Sequence, residues 1–215
     1  MSSAEHVAAE TFVDLQFALQ GQAVPPDYAD ALWSAVREIL PWLETDVLAG
    51  IHPLSGLSPG AGGWYLSRRS HLTLRIERER AAAAQPLVGA RLQLGEHVLE
   101  VGTPHVRELA RAPALQAKFV VFGSASHDVA MAEEAFREAC VEELAVLGVP
   151  PRLLCGKPQR TSTPDGMLTG FSLVLLDLKA DASLRLQRHG LGGERKRGCG
   201  IFIPHKSMVA VRTLE

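Results

Sequence analysis

Eleven residues, Gly190-Leu191-Gly192-Gly193-Glu194-Arg195-Lys196-Arg197-Gly198-Cys199-Gly200, set five glycines around an Arg-Lys-Arg cluster. Glycine adopts positive φ without penalty and lets a backbone come close to a ligand. The three cations supply fixed charge for phosphate groups. Two common phosphate loops are not completed here. Gly193 to Gly198 has the four-residue gap of a P-loop, but Cys199 stands where a lysine is required. Gly190-x-Gly192 has Arg195 where a dinucleotide fingerprint needs its third glycine, and it follows a helical pattern and precedes a strand, the reverse of the required order. A nucleotide cofactor is therefore disfavoured. Taken alone, the segment is either a backbone-binding loop for another phosphate ligand or a solvated basic turn.

Proton transfer near neutral pH is the province of histidine, and eight compete for it. His52 is the first choice, since it closes a short strand beside Pro53 and opens into the glycine-rich turn Ser55 to Gly63. His71, next to Arg69 and Thr73, is the second. His97 and His105 fall near a turn and a linker, His127 precedes an acidic helix, and His189 and His205 flank the glycine loop. Carboxylates are scattered and form no paired metal site, so no metal and no cofactor are expected. Cys140, Cys155 and Cys199 are odd in number and widely spaced. A disulfide framework or zinc site is disfavoured, and a reducing cytoplasm is the simplest location.

These residues must be held by a fold, and periodicity suggests which. Thr11 to Leu19 alternates as a half-buried strand. Asp27 precedes a helical face of Tyr28, Ala31, Leu32, Ala35, Val36, Ile39 and Leu40, which Pro41 stops. Val47 to His52 reads as a short strand, Trp64 to Ile76 as a long one, Glu77 to Leu87 as a second helix and Arg91 to Val101 as a strand. The second half repeats the pattern: strand Leu115 to Phe122, a helix capped by Asp128 and ended by Gly148, strands Arg152 to Cys155 and Gly170 to Leu178, helix Ala180 to Gln187, and strand Ile201 to Ile203. The expectation is an α+β chain of two tandem ferredoxin-like (RRM-like, βαββαβ) domains, 1–102 and 103–215, with residues 103–114 as the junction.

The chain has 215 residues, 47% of them apolar and 21% charged, and a formal net charge of −2. No apolar run approaches the roughly 20 residues that span a bilayer, so no membrane partner is expected. The small net charge conceals alternating blocks: −7 over residues 1–60, +4 over 61–126, −4 over 127–152 and +5 over 153–215. One face of such a fold can be basic while another stays acidic, so a nucleic-acid partner is compatible with the total.

The pattern Gly190-Leu191-Gly192, five residues, Gly198-Cys199-Gly200 resembles the glycine-rich loop of the RAMP superfamily. Gly50-Ile51-His52-Pro53-Leu54, Arg69-Ser70-His71-Leu72-Thr73-Leu74-Arg75 and the ending Gly198-Cys199-Gly200-Ile201-Phe202-Ile203-Pro204 fit the same group, in the same order, over about residues 11 to 206. The chain thus resembles the CRISPR-associated endoribonucleases that cut precursor CRISPR RNA within its repeats.

That resemblance implies two tandem ferredoxin-like folds and metal-independent cleavage. In it, a ribose 2′-hydroxyl attacks the adjacent phosphate, leaving a 2′,3′-cyclic phosphate and a 5′-hydroxyl. It implies a catalytic histidine in the first domain, which His52 supplies, and CRISPR repeat RNA, retained as crRNA, as partner, with other effector-complex subunits as further partners. Several relatives place the histidine directly after the first helix and use a tyrosine within that helix. Here His52 lies some ten residues beyond Pro41, Trp33 or Ser34 stands near the tyrosine's place, and Tyr28 comes one or two turns earlier. The second proton-transfer group stays open among Ser70, Arg69 and Lys157. RNA contacts are expected from Arg68, Arg69 and Arg75 on the long strand and from Lys157 and Arg160. The glycine loop is expected to add Gly190, Gly192, Gly193, Arg195, Lys196, Arg197, Gly198 and Gly200. Phosphate clamping is favoured over base stacking, because aromatics are only 6% of the chain. The alternative from another class is a non-catalytic RAMP-type subunit that binds guide RNA as scaffold.

Overall fold

A computed structural model describes residues 11–60, 62–123, 133–150, 152–164 and 166–205. Asp128, expected as a helix cap, lies outside them, as do His6 and His127. The chain divides into two compact units. One holds Glu10–Glu108 together with Arg195–Gly198, and the other holds Leu109–Glu194 and the chain from Cys199 onward.

In the first unit, β1 (Phe12–Gln20), α1 (Tyr28–Ile39), β3 (Gly50–Ile51), β6 (His71–Glu77) and β8 (His97–Glu108) form the frame, with β7 (Arg91–Leu94) added at one edge. The sheet order is β3-β6-β1-β8-β7, and every pairing is antiparallel. Without β7 this is the 2-3-1-4 order of a ferredoxin-like sheet. The alternation expected for β1 puts Val13, Leu15, Phe17 and Leu19 into the core, where they meet Leu32, Trp33 and Val36 from α1.

Four details differ from the sequence reading. The expected strand Trp64 to Ile76 is interrupted at 66–70, where the Ser67 amide donates to Ser70 Oγ and the Ser70 amide to the Ser67 carbonyl. Serine side chains offer the backbone local partners that compete with a ladder. The freed piece, β5 (Gly63–Tyr65), joins β2 (Ala23–Val24) and β4 (Ser58–Gly60) in a small separate sheet. The expected helix Glu77 to Leu87 is two 3-10 stretches, Arg78–Arg80 and Ala82–Leu87. Pro86 removes a donor, and the alanines offer little apolar face to bury. Arg91 to Val101 is a hairpin rather than one strand, turning at Gly95 with φ of 62°. Finally, β8 runs on to Glu108 through the expected junction, with Pro104 opposite Phe17 beside a register shift and beyond the reach of β7, where no ladder donor is needed.

The second unit has β9 (Leu115–Val120), α2 (Glu133–Val146), β10 (Leu153–Thr163), β11 (Gly166–Leu175), α3 (Ala180–His189) and β12 (Ile203–Pro204). Its sheet order is β10-β11-β9-β12, again 2-3-1-4 and antiparallel. Phe136, Cys140 and Leu144 from α2 and Ala182 and Leu186 from α3 close one core with Leu115, Phe171, Leu173 and Leu175. The β10–β11 hairpin is much longer than the expected strand at Arg152 to Cys155. Both units are therefore ferredoxin-like. Among the described residues no helix is long and apolar enough to cross a membrane.

Candidate active site

His52 sits one residue past β3, and its amide donates to the Thr73 carbonyl at 2.9 Å, which extends the β3–β6 pairing to the histidine itself. On the sheet, Asp14 faces Arg75 across β1 and β6, and Arg75 faces Gly50 across β6 and β3. This row brings three distant parts of the chain together. His52 Nε2 lies 3.1 Å from Asp14 Oδ1. Arg75 Nε donates to Asp14 Oδ1 at 2.8 Å and Nη2 to Oδ2 at 2.9 Å. The Arg75 side chain is wholly buried, whereas His52 keeps 12% and Asp14 17% of their side-chain surface.

The electrostatics follow from that arrangement. Burial opposes ionisation of Asp14, but the Arg75 guanidinium and the His52 ring together hold its carboxyl well below the usual carboxylate range. Burial holds the His52 imidazole below its ordinary value. The Asp14 carboxylate works against this, and the Arg75 and Arg195 cations reinforce it. A neutral imidazole beside an ionised carboxylate is the state that results at neutral pH.

The segment before His52 is tied down by the basic residues of the glycine loop. Asp46 Oδ1 accepts from the Leu48 and Ala49 amides at 3.2 and 3.0 Å, forming a tight turn. Arg195 Nη2 donates to the Leu48 carbonyl at 3.0 Å, and Lys196 Nζ to the carbonyls of Asp46 and Ala49 at 2.5 Å. Burial draws Arg195 down to about 10 and Lys196 down to about 8, as the medium around them disfavours charge. Arg197 Nε pairs with Asp30 Oδ1 of α1 at 2.7 Å. A Cβ on Gly198 would stand 3.2 Å from three atoms of Pro53, the residue after His52.

Arg195, Lys196 and Arg197, expected to contact RNA, are engaged here by backbone carbonyls and by Asp30 of the same unit. Arg75, also expected to contact RNA, is wholly buried and clamped on Asp14. The remaining expected contacts lie elsewhere. Arg68, Arg69, Lys157 and Arg160 are exposed. Gly190 ends α3, Gly192 donates from its amide to Glu143 Oε2 at 2.8 Å, and the Gly193 and Gly200 amides donate to the carbonyls of Val121 and Phe119. Gly193 and Gly200 thus dock on the chain at residues 119–121, at the end of β9, and of the four glycines only Gly193 is exposed.

Of the open second proton-transfer groups, Ser70 is buried and its Oγ donates to the Gly56 carbonyl. Arg69 and Lys157 remain exposed. His71, the second choice of histidine, bonds through Nδ1 to the Arg69 carbonyl at 2.7 Å. Tyr28, which looked misplaced by its spacing, accepts the Leu54 amide on its hydroxyl at 2.9 Å, two residues beyond His52. Burial raises its phenol above the ordinary value and keeps it protonated. Sequence reasoning missed Asp14, Asp46 and Asp30. Asp14 carried one signal: it is the acidic residue at a polar position of an otherwise apolar alternating strand.

Among the described residues no group of three or more His, Cys, Asp or Glu side chains converges as a metal site. A histidine held against an ion-paired carboxylate, an α+β fold of two ferredoxin-like units and a C-terminal glycine-rich segment are the features by which the chain is compared with known proteins. The Cas6 family model, described as Cas6 Crispr, matches residues 13–207, and the chain belongs to that family. A CRISPR-associated endonuclease Cas6 from Myxococcus xanthus (strain DK1622) is 38% identical over 193 residues, covering 90% of this chain and 81% of that one. A solved Cas6-related protein from Pyrococcus furiosus superposes with a TM-score of 0.64 at 12% identity, over 91% of this chain and 99% of its own. A structure described as a RAMP protein binding different RNA substrates gives 0.61 at 12% identity, over 90% of this chain and 100% of its own. At such identities these structures speak for the fold.

Proposed function

We propose that the protein is a metal-independent endoribonuclease that cuts precursor CRISPR RNA within its repeats, with His52 as the proton-transfer residue. The observation that carries this reading is the buried ion-paired row beneath His52. A carboxylate fixed by a wholly buried arginine and set against the ring orients and supports a histidine that moves protons, a role a surface histidine does not call for. The Myxococcus xanthus relative, named a CRISPR-associated endonuclease, supports nuclease activity within that system.

In the reaction, the 2′-hydroxyl loses its proton to His52, and its oxygen forms a bond to the adjacent phosphorus. The bond from phosphorus to the 5′-oxygen breaks, and that oxygen takes a proton from a general acid. The products are a 2′,3′-cyclic phosphate and a 5′-hydroxyl. General base catalysis of this kind contributes about 10² to 10⁴ in rate. Arg68, Arg69, Lys157 and Arg160 are the exposed cations that hold the RNA backbone, and the protein stays on its product in the cytoplasm as crRNA carrier for other effector subunits.

The test is incubation with repeat RNA in excess EDTA, with mass spectrometry of the 5′ fragment. Cleavage to a cyclic phosphate by the native protein, and none by His52→Ala, is expected. Uncut RNA with tight binding would instead mark a non-catalytic guide-RNA subunit. Full cutting by His52→Ala would remove the histidine from the mechanism.

A further inference from the structure

We propose that Asp14 is the positioning residue of the cleavage site: it fixes His52 in the tautomer protonated on Nε2, so that Nδ1 is the atom that takes the 2′-hydroxyl proton. This rests on the reading of His52 as the proton-transfer residue and specifies how the ring performs that role.

The geometry supplies the argument. Both Asp14 oxygens are held by Arg75, Oδ1 by Nε at 2.8 Å and Oδ2 by Nη2 at 2.9 Å. A carboxylate gripped at two points by a guanidinium is ionised, and an ionised carboxylate can only accept hydrogen bonds. His52 Nε2, 3.1 Å from Oδ1, must therefore be the donor. The lone pair of the neutral ring then lies on Nδ1. The wrong tautomer would set a lone pair against the carboxylate and leave Nδ1 unable to accept a proton. The same logic, a buried carboxylate selecting which imidazole nitrogen reacts, operates in serine hydrolases. The charged groups around the ring are Asp14 from β1, Arg75 from β6 and Arg195 from the glycine loop. Burial together with the two cations outweighs the single anion and keeps the ring neutral. The sheet register makes Asp14 a fixture rather than a surface rotamer, since its cross-strand neighbour on β6 is Arg75 itself.

Single-turnover cleavage of repeat RNA is followed as a function of pH for the native protein, His52→Ala and Asp14→Asn. RNA affinity and ring ¹⁵N spectra of His52 are recorded alongside. Asp14→Asn is expected to lower the plateau rate on the order of 10²-fold while RNA affinity is held. Its acid limb should move to lower pH, because Asp14 is the group that supports protonation of the ring. The native ¹⁵N spectrum should show the proton on Nε2. Native-like cleavage by Asp14→Asn alongside an inactive His52→Ala would overturn the role of Asp14 and leave that of His52 standing. Full cleavage by His52→Ala would overturn both. The tautomer is read on the native protein, so a native ring protonated on Nδ1 refutes the proposal even if Asp14→Asn misfolds. The Asp14→Asn/Arg75→Met pair, which leaves no lone buried charge, provides a second variant and should show the same slow rate.

Discussion

Asp14 and Arg75 stand opposite each other on β1 and β6, and their side chains close a two-point ion pair in which the arginine is wholly buried. Arg75 is the largest of the fully buried side chains. An ion pair so placed is a weak source of net stability, but removing one partner exposes the cost of the other.

Arg75→Met should therefore destabilise the protein by about 3 kcal/mol, read by urea unfolding at pH 7. The pH dependence has a definite sign. Because the folded state holds Asp14 below its ordinary value, its contribution is complete above the unfolded value near pH ~4 and is lost as pH falls through the lower folded value. The native protein should lose stability in acid more steeply than Arg75→Met does.

The glycines of the loop separate by what a Cβ would meet. At Gly192, φ is 69° and the added atom would lie 2.2 Å from the Val121 carbonyl oxygen. Gly192→Ala should cost more than about 2 kcal/mol, since both strain and backbone collision act there. Gly198→Ala, with φ of 83° and softer contacts at Pro53, should cost about 1–2 kcal/mol. It should also slow RNA cleavage by displacing the segment that carries His52. Gly193→Ala meets nothing within 4 Å and should stay within about 0.5 kcal/mol of native. Thermal and urea melts of the three variants check the order.

The basic residues should divide into two sets by salt dependence. Each exposed cation on a phosphate contributes about one counterion to the slope of log affinity against log salt, slightly less on single strands. Arg68→Ala, Arg69→Ala, Lys157→Ala and Arg160→Ala should each lower that slope. Lys196→Ala should leave the slope unchanged and instead destabilise the unit by about 1–3 kcal/mol, because the Asp46 and Ala49 carbonyls lose their donor. Filter binding across a salt series, paired with melts, distinguishes the two outcomes.

Thiol reactivity should single out one cysteine. Burial pushes Cys140 up to about 12, and Cys199 is also buried. Cys155 is raised by burial as well but is only partly covered. Thiolates, not thiols, react. Iodoacetamide at pH 8 should label Cys155 slowly and spare Cys140 and Cys199 until the protein is unfolded, as peptide mass mapping would show.

Much of the fold was legible because its signals are local. The alternation of β1, the helical face of α1 and the matching pattern in the second half depend on residues a few positions apart, and both sheets have the order this plan requires. The misreadings were also local. Ser67 and Ser70 broke a strand, Pro86 prevented a helix and Gly95 folded one strand into two. In each case turn chemistry overrode the hydrophobic pattern.

By itself, the sequence determined most of the element types and pointed to His52 among the histidines and to the glycine-rich segment. Only the tertiary structure decided what those residues do to each other. Asp14, His52 and Arg75 are brought together by strand register, which pairs residues 61 positions apart. Lys196 reaches carbonyls 147 and 150 positions away. The sequence shows a cluster of three cations that could face solvent or phosphate equally well. Whether a cation meets water, RNA or a buried carbonyl depends on which backbone lies beside it, and that is a property of the folded chain alone.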